Sequence, residues 1–492
     1  ARVDFVAEVA EMASRADLVD VLRDEHVLHL LRPMLVDPVP TVQQTAALAL
    51  GRLANYSVDL AEEVVAAEIL PQLVASLAET NRHYQKAAAF VLRSVAKHSP
   101  ELATCVVEAG ALDCLVACLE EFDPAVKEAA AWALGYVASH SPELAQAVVD
   151  SGAAPLLVLC LQEPEIGLKR ICASALSDVA RHSEELAQVV AGAGAIPHLA
   201  GLIGHRDGKL KRQVCACLAN ISKHNVDLAE AVVEAELFPR MLPCLKDEDL
   251  FVRKNAAVLV REVVKHSEEL ASLVTAAEGA GALVEYLADS TGNARLPAVM
   301  ALGYIGAFSE SLAMAVIKAN AVPALRQALL EEPEDHIKAA SAWALGQIGR
   351  HTAQHARALA EADVLRHLLG TMTADESSDD LVSKSKRALK AVIAQCTYLT
   401  AMEPMLRAGA PASIVKAILA QFSKVLPGDR DKRRALVQSG GLKAVQELER
   451  DDPEVAEYVE AINSNYPEEV VTYCSPQFQQ TLATRVLEGE TR

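Results

Sequence analysis

The chain has 492 residues, with 46 Lys and Arg against 66 Asp and Glu, for a formal net charge of −20. That balance excludes nucleic acid, whose binding rests on phosphate neutralisation by Lys and Arg, and it opposes anionic membrane surfaces; no apolar run reaches the ~18 charge-free residues of a membrane span. Apolar residues make up 51% of the chain but aromatic ones only 4%, and the length exceeds what one core can fill, so a stack of thin helices packed through Ala, Leu and Val is expected.

Residues 1–32 read as an opening half-unit. Val3, Phe5, Val6 and Val9 pattern a helix, and Leu18 to Leu31 supply two shorter ones, an atypical first repeat of the kind that caps a stack. Beyond them a recurring phrase sets the ruler. It reads YSVDLA at Tyr56, HSPELA at His98 and His140, HSEELA at His182, HNVDLA at His224, HSEELA at His266 and FSESLA at Phe308, each 42 residues after the last, then HTAQHA at His351, one residue late. Self-similarity at such a period marks a helical solenoid or a propeller.

Within the unit Asp123 to Glu163 the periodicity is helical. Val126, Ala129, Ala130, Ala133, Leu134 and Val137 follow the i, i+3, i+4 spacing of one buried face. Ser141 is placed to cap the next helix, with Pro142 at its first position, and Gly152 ends that helix where a left-handed residue is needed. A third helix, Pro155 to Leu161, completes the unit. One long and two short helices match an armadillo repeat rather than a four-stranded blade. The fold class is all-α, an armadillo-repeat right-handed superhelical solenoid with irregular N- and C-terminal caps.

The long helices are expected to begin near Thr41, Arg82, Pro124, Ile166, Lys209, Leu250, Asn293 and Asp335, with a ninth over Asp380 to Cys396. Residues 1–396 thus form about eight to nine repeats. Beyond Cys396 the ruler fails, and 397–450 read as degenerate repeats. Residues 451–492 form a C-terminal cap or an arm reaching a neighbour, with a last short helix after YPEEVVTYCSP (466–476).

No catalytic, cofactor-binding or metal site emerges. The histidines at 98, 140, 182, 224 and 266 sit at ends of long helices, where a cation complements the negative dipole end; successive helices packed ~8–10 Å apart place the rings too far from one another to share a metal. His351 and His355 share a helix face, but no third ligand accompanies them. Ten scattered cysteines without a CxxC pair or a signal-peptide pattern predict reduced thiols in a cytoplasmic protein.

Two sets of residues carry interaction hypotheses. Lys127, Lys169, Lys211, Arg253, Arg295 and Lys338 hold one phase of six consecutive long helices, and Asp123, Glu165, Asp207, Asp249 and Glu334 stand four residues before five of them. This is the favourable order for an i, i+4 pair. The ladder is either structural, joining repeats, or a basic stripe for an acidic partner. The second set lines the concave face of the long helices. One row is Leu48, Phe90, Trp132, Ser174, Ala216, Val258, Met300 and Trp343; the next is Arg52, Ser94, Tyr136, Asp178, Asn220, Glu262, Tyr304 and Gln347. Phe90, Trp132, Tyr136, Asn220, Tyr304, Trp343 and Gln347 are the candidate partner-binding residues, with core packing the alternative for both tryptophans. Nuclear-import adaptors repeat Trp-xxx-Asn in successive units; here Trp132 precedes Tyr136, Trp343 precedes Gln347, and Asn220 follows Ala216, which argues against a nuclear-signal receptor.

The runs QQTAALALGRLANYSVDLAE (43–62), FDPAVKEAAAWALGYVASHSPELAQAVVDSGA (122–153), QCTYLTAMEPML (395–406), SGGLKAVQE (439–447) and YPEEVVTYCSP (466–476) resemble the sperm-associated antigen six family, armadillo proteins of the ciliary and flagellar central apparatus. The similarity covers essentially the whole chain and is weakest over the first forty or so residues. It implies a non-enzymatic scaffold on the C1 microtubule of the central pair, required for central-apparatus integrity and motility and located in the cytoskeleton of the axoneme. Other central-apparatus proteins and microtubules, met directly or indirectly, are the implied partners, together with further copies of the chain as a homo-oligomer. An armadillo peptide-binding adaptor in transport or adhesion is the alternative.

Overall fold

The computed structural model describes residues 1–78, 81–407 and 410–478, which form α-helices and short 3-10 turns without a strand among them. They pack as two units, Ala1–His266 and Ser267–Arg492.

The principal helices of the first unit are α1 (Arg2–Met12), α2 (Pro40–Tyr56), α3 (Arg82–Ala96), α4 (Pro124–His140), α5 (Ile166–Ala180), α6 (Gly208–Ser222) and α7 (Leu250–Val264), each packed on the one before it. Two short helices separate most neighbours, as Pro142–Asp150 and Ala153–Cys160 do, meeting at a bend of 80°. In α4 the apolar stripe lies as its spacing requires, with Val126, Ala130, Ala133, Leu134 and Val137 buried, while Ala129 stays partly open. Asp123 caps α4 by accepting from the Ala125 N–H at 2.9 Å, and Ser141 caps the following helix through Leu144 at 3.2 Å. Ser57, Ser99, Ser183 and Asn225 repeat that second cap, and each is worth ~1 kcal/mol.

The corner between the short helices needs a left-handed residue at every turn of the stack. Glu68 (φ 55°), Gly110 (76°), Gly152 (83°), Gly194 (85°) and Glu236 (53°) follow one another at the repeat interval. Glycine fits there without strain, and a glutamate does so at a cost.

The histidine series joins repeats. His98 Nε2–H donates to the Ala54 carbonyl at 2.7 Å, His140 to Ala96 at 2.6 Å, His182 to Ala138 at 2.8 Å, His224 to Ala180 at 2.7 Å and His266 to Ser222 at 2.7 Å. Each ring thus serves the end of the preceding long helix, not only its own. Lys97, Lys223 and Lys265 add a second donor to the next carbonyl, on Asn55, Arg181 and Lys223.

In the second unit the principal helices are α8 (Leu296–Phe308), α9 (Asp335–Gly349), α10 (Asp379–Ile393), α11 (Ala412–Val425) and α12 (Pro453–Asn463). α8 starts three residues later than the expected Asn293, and Gly292–Ala294 is a 3-10 turn instead. Pro297 is the reason: a helix begun at Asn293 would need the proline to donate to that residue's carbonyl, which it cannot do. His351 repeats the inter-repeat bond, to the Gly306 carbonyl at 2.7 Å, and Arg350 donates to Ala307 at 2.8 Å. Between α10 and α11 lies Leu399–Arg407 among the described residues, in place of a short pair, so the 42-residue ruler breaks there. The corner returns at Gly440 (φ 82°) between Arg430–Gln438 and Gly441–Gln446. The described tail folds onto its own chain: α12 packs on α11, Gln446 donates to Asn463 at 2.6 Å, and the Tyr466 hydroxyl donates to the Arg433 carbonyl at 3.2 Å. The last expected short helix falls mostly on 479–492, outside the described residues.

Burial holds the pKa of His98, His182, His224 and His266 below the ordinary 6.5, so the folded state prefers them neutral. Their contribution is present above 6.5 and is lost as pH falls through the depressed folded values. Asp178, pushed up to about 6 by burial, acts in the opposite sense, as one group against four. The urea midpoint is therefore expected to fall between about pH 7.5 and about pH 5, and to fall less in a His182→Asn/His224→Asn double variant; an unchanged midpoint would refute the linkage. At the corner, Glu236→Gly is expected to raise stability by about 0.5–1 kcal/mol and Gly152→Ala to lower it by about 1 kcal/mol, both read by urea unfolding.

Candidate functional site

The long helices of the first unit present one face that the short helices do not cover. Leu48, Phe90, Trp132, Ser174, Ala216 and Val258 are all partly open there, as are Arg52, Tyr136, Asp178 and Asn220 of the neighbouring row, while Ser94 and Glu262 are buried.

How the aromatic rings sit depends on the residue beneath them. Phe90 on α3 lies over Gly51 of α2, where its ring takes the space that a Cβ would need. Forty-two residues on from Gly51, the same place is held by Arg93, and Trp132 of α4 packs on its guanidinium at 4.0 Å from the ring centre, with Phe90 4.8 Å away on the same group. Such stacking contributes from ~0.5 to ~2 kcal/mol, more as water is excluded. Over α2, α3 and α4 these side chains bound a cavity of about 510 Å³, lined by Gln44, Leu48, Phe90, Arg93, Glu128 and Trp132, with His83 and Lys86 at its edge.

The electrostatics of this groove are unbalanced. Burial lowers the Arg93 pKa, partly offset by Tyr136 and Glu128, and its Nε–H is buried without a hydrogen-bond partner. Glu128 forms no ion pair with it; its carboxylate lies against Gly167 in the first turn of α5. Among the described residues no carboxylate pairs with Arg93, Lys86 or His83. Arg261, at the phase of Arg93 on α7, has the opposite fate: its Nε donates to Glu262 at 2.9 Å. Arg93 is absent from the sequence-derived candidates. Its signal is a large cation at a position held by Gly51, Gly135, Ser177, Ala219 and Gly303 in other repeats.

The other candidates divide. Asn220 donates to the Ser177 hydroxyl of α5 at 2.9 Å, so this amide joins two repeats. Tyr136 acts on Arg93 electrostatically but does not line the groove. In the second unit, Trp343 lies over Gly303 and meets Tyr304 edge-on at 5.1 Å. Gln347 lies beside it in a cleft of about 190 Å³ between α9 and α10, which Arg350, Lys384 and Arg387 also line.

The basic ladder pairs differently from the i, i+4 expectation. The three aspartates of that pattern cap helices, Asp123, Asp207 and Asp249 accepting from backbone N–H groups of α4, α6 and α7, while Glu165 and Glu334 make no such side-chain cap. A capping side chain turned toward the helix end does not reach the base one turn on. Lys127 instead pairs with Glu163 at 2.7 Å, Lys211 with Asp247 and Arg295 with Glu332 at 2.8 Å, each acid lying where the chain enters the next long helix. Arg170 and Arg212, one residue beyond Lys169 and Lys211, reach Asp207 and Asp249. Lys338 is 3.7 Å from Asp335, and no ion pair holds Lys169 or Arg253 among the described residues.

His351 and His355 stand 5.6 Å apart. His355 is engaged by the Thr352 hydroxyl at 2.7 Å and the Glu310 carbonyl at 2.9 Å. No group of three or more His, Cys, Asp or Glu among the described residues is arranged to hold a metal. The cysteines are free thiols, and burial pushes Cys118 up to about 12, away from a reactive thiolate.

Comparison with known proteins adds three likenesses. The Armadillo/beta-catenin-like repeat family matches residues 99–139, 183–223 and 309–350. Sperm-associated antigen 6 of Mus musculus and that of Homo sapiens are each 77% identical over 487 residues, spanning 99% of this chain and 96% of theirs. A crystal structure of an engineered protein covers 89% of this chain and 98% of its own at a TM-score of 0.72 and 24% identity, a likeness of fold.

A methyl group at Gly51 would overlap the Phe90 ring, and one at Gly303 the Trp343 ring. Gly51→Ala and Gly303→Ala are each expected to cost about 1–3 kcal/mol in urea unfolding, and Gly303→Ala to shift tryptophan emission; wild-type stability in both would refute the close packing.

Proposed function

Since the chain belongs to the sperm-associated antigen 6 family and is an armadillo-repeat protein, we propose that it is a non-catalytic scaffold of the axonemal central pair, on the C1 microtubule. There it maintains central-apparatus integrity and flagellar motility through protein–protein contacts. The carrying observation is the 77% identity over 99% of the chain, which extends through the irregular helices after α10. The distribution of charge supports the non-catalytic part: the half-buried pairs Lys127–Glu163 and Lys211–Asp247 and the buried pair Arg295–Glu332 tie repeats together and form no convergent cluster of the kind that moves protons.

Tubulin's exposed tails are acidic, and a chain of net charge −20 is repelled from them in bulk. Attachment therefore runs through local cations or through other central-apparatus proteins, and further copies of the chain join at the stacking faces that terminal repeats leave open. An adaptor of the nuclear-import type is the weaker reading, because Asn220 is already held by Ser177.

A tagged copy in a flagellated cell is expected along the central pair, and signal confined to cytosol or nucleus would overturn the assignment. The purified chain should co-sediment with microtubules weakly and only at low salt; strong, salt-insensitive binding contradicts the charge argument. A strict monomer in light scattering at high concentration would remove self-association.

A further inference from the structure

We propose that Cys160 and Cys172 form a peroxide-sensitive dithiol, in which Cys160 meets the oxidant at a surface cavity and Cys172 resolves it to an intrachain disulfide. The new bond ties the short helix Ala153–Cys160 to α5, the long helix of the next repeat.

The geometry brings two thiols together beside a way in. Cys172 is wholly buried on α5 and is hydrogen-bonded to Cys160 at the end of the short helix. Cys160 is nearly as buried, its Sγ 3.9 Å from the Leu119 carbonyl of the repeat before. It nevertheless lines a cavity of about 480 Å³ with Lys127, Leu156 and Glu163, and the exposed Leu159, Gln162 and Pro164 connect that cavity to solvent. Hydrogen peroxide, little larger than a water molecule with its ~30 Å³ share of liquid volume, fits there with room to spare.

The thiolate, not the thiol, attacks a peroxide. The hydrogen bond from Cys172 holds the Cys160 thiol below its usual pKa, with help from the Lys127 charge and against burial. Burial and the same bond push Cys172 well above it. Cys160 is therefore the attacking sulfur. It takes one peroxide oxygen, the O–O bond breaks, and the departing hydroxide leaves as water with the Cys160 proton. Cys172 then attacks the resulting sulfenic acid: the S–S bond forms, the S–O bond breaks, and hydroxide leaves as water with the Cys172 proton. Two thiols are oxidised, and one hydrogen peroxide is reduced to two waters.

The preceding repeat serves as an internal control. Cys118 stands 42 residues before Cys160, but Ala130 holds the place of Cys172 and Gln85 that of Lys127, donating to Glu121 at 3.3 Å. Burial there pushes the thiol up to about 12. Two repeats beyond Cys160 a similar set returns. Cys244, its Sγ 3.6 Å from the Ile203 carbonyl, is hydrogen-bonded to Cys215 of α6, and Lys211 pairs with Asp247 beside them.

The test treats the reduced full chain with hydrogen peroxide at neutral pH, blocks the remaining thiols and maps tryptic peptides by mass spectrometry. Peptides 128–169 and 171–181 are expected joined, in a chain that migrates as a monomer without reductant, and separated by dithiothreitol, while Cys118 stays reduced. Cys172→Ala and Lys127→Gln each copy the residue of the preceding repeat, so the fold accommodates them. Cys172→Ala should leave Cys160 as a sulfenic acid that dimedone traps. Nucleophilicity recovers only about half of what the thiolate fraction loses on a logarithmic scale, so Lys127→Gln should slow oxidation roughly threefold. Absence of the joined peptides, their appearance only in urea or between two chains, oxidation of Cys118 as fast as Cys160, or an unchanged rate in Lys127→Gln would each overturn the proposal.

Discussion

An α-helix leaves its last carbonyls without an intrahelical donor, and in this chain the following repeat supplies one. The bond from His98 to Ala54, repeated from His140, His182, His224 and His266, ties the negative end of each long helix to the next helix in the stack. A net hydrogen bond is worth only ~0.5–1.5 kcal/mol, but an unmet buried carbonyl costs more. The phrase that makes the repeat visible in the sequence is therefore the phrase that closes one repeat onto another. Each ring is engaged by a carbonyl of the preceding helix, so the histidines are structural, and the lysines beside them reinforce the same junction with formal charge.

The second constraint is the closeness of successive long helices. Backbone meets backbone where small residues face each other: the Cβ position of Gly135 lies 3.2 Å from the Ala175 side chain, and that of Gly346 lies 2.7 Å from Ala388. At Gly51 and Gly303 the same clearance admits an aromatic ring. Where Arg93 replaces the small residue, the ring of the next helix cannot settle on backbone and stacks on a guanidinium instead. One change in a repeated position thus converts a packing contact into a charged, partly open groove.

The armadillo architecture, the long-helix starts through α7, the capping serines and the corner at Gly152 are all legible in the sequence, since each depends on local chemistry that a single repeat carries. What is not legible depends on the neighbour. The i, i+4 pairing of the basic ladder considers one helix alone, yet Asp123, Asp207 and Asp249 obey the unsatisfied N–H groups at their own helix starts, and the bases turn to Glu163, Asp247 and Glu332. Periodicity places the histidines at helix ends, but it does not say which helix a ring serves. Arg93 escapes notice because an arginine near the end of a long helix is ordinary until it is compared with Gly51 and Gly135 in register. The start of α8 departs from the ruler because Pro297 overrides it, whereas the break after Cys396 is legible in the sequence, and among the described residues Leu399–Arg407 stands there in place of a short pair.

Electrostatics connects these points to partner choice. The buried and half-buried pairs between repeats engage bases one for one, so the surplus of acids falls on the exposed surface, and at long range any partner meets a negative field that salt screens within about 10 Å. Closer than that, the individual side chain decides. Around Arg93, stacked against Phe90 and Trp132 with its Nε–H unpaired, the water that those rings exclude strengthens each remaining contact.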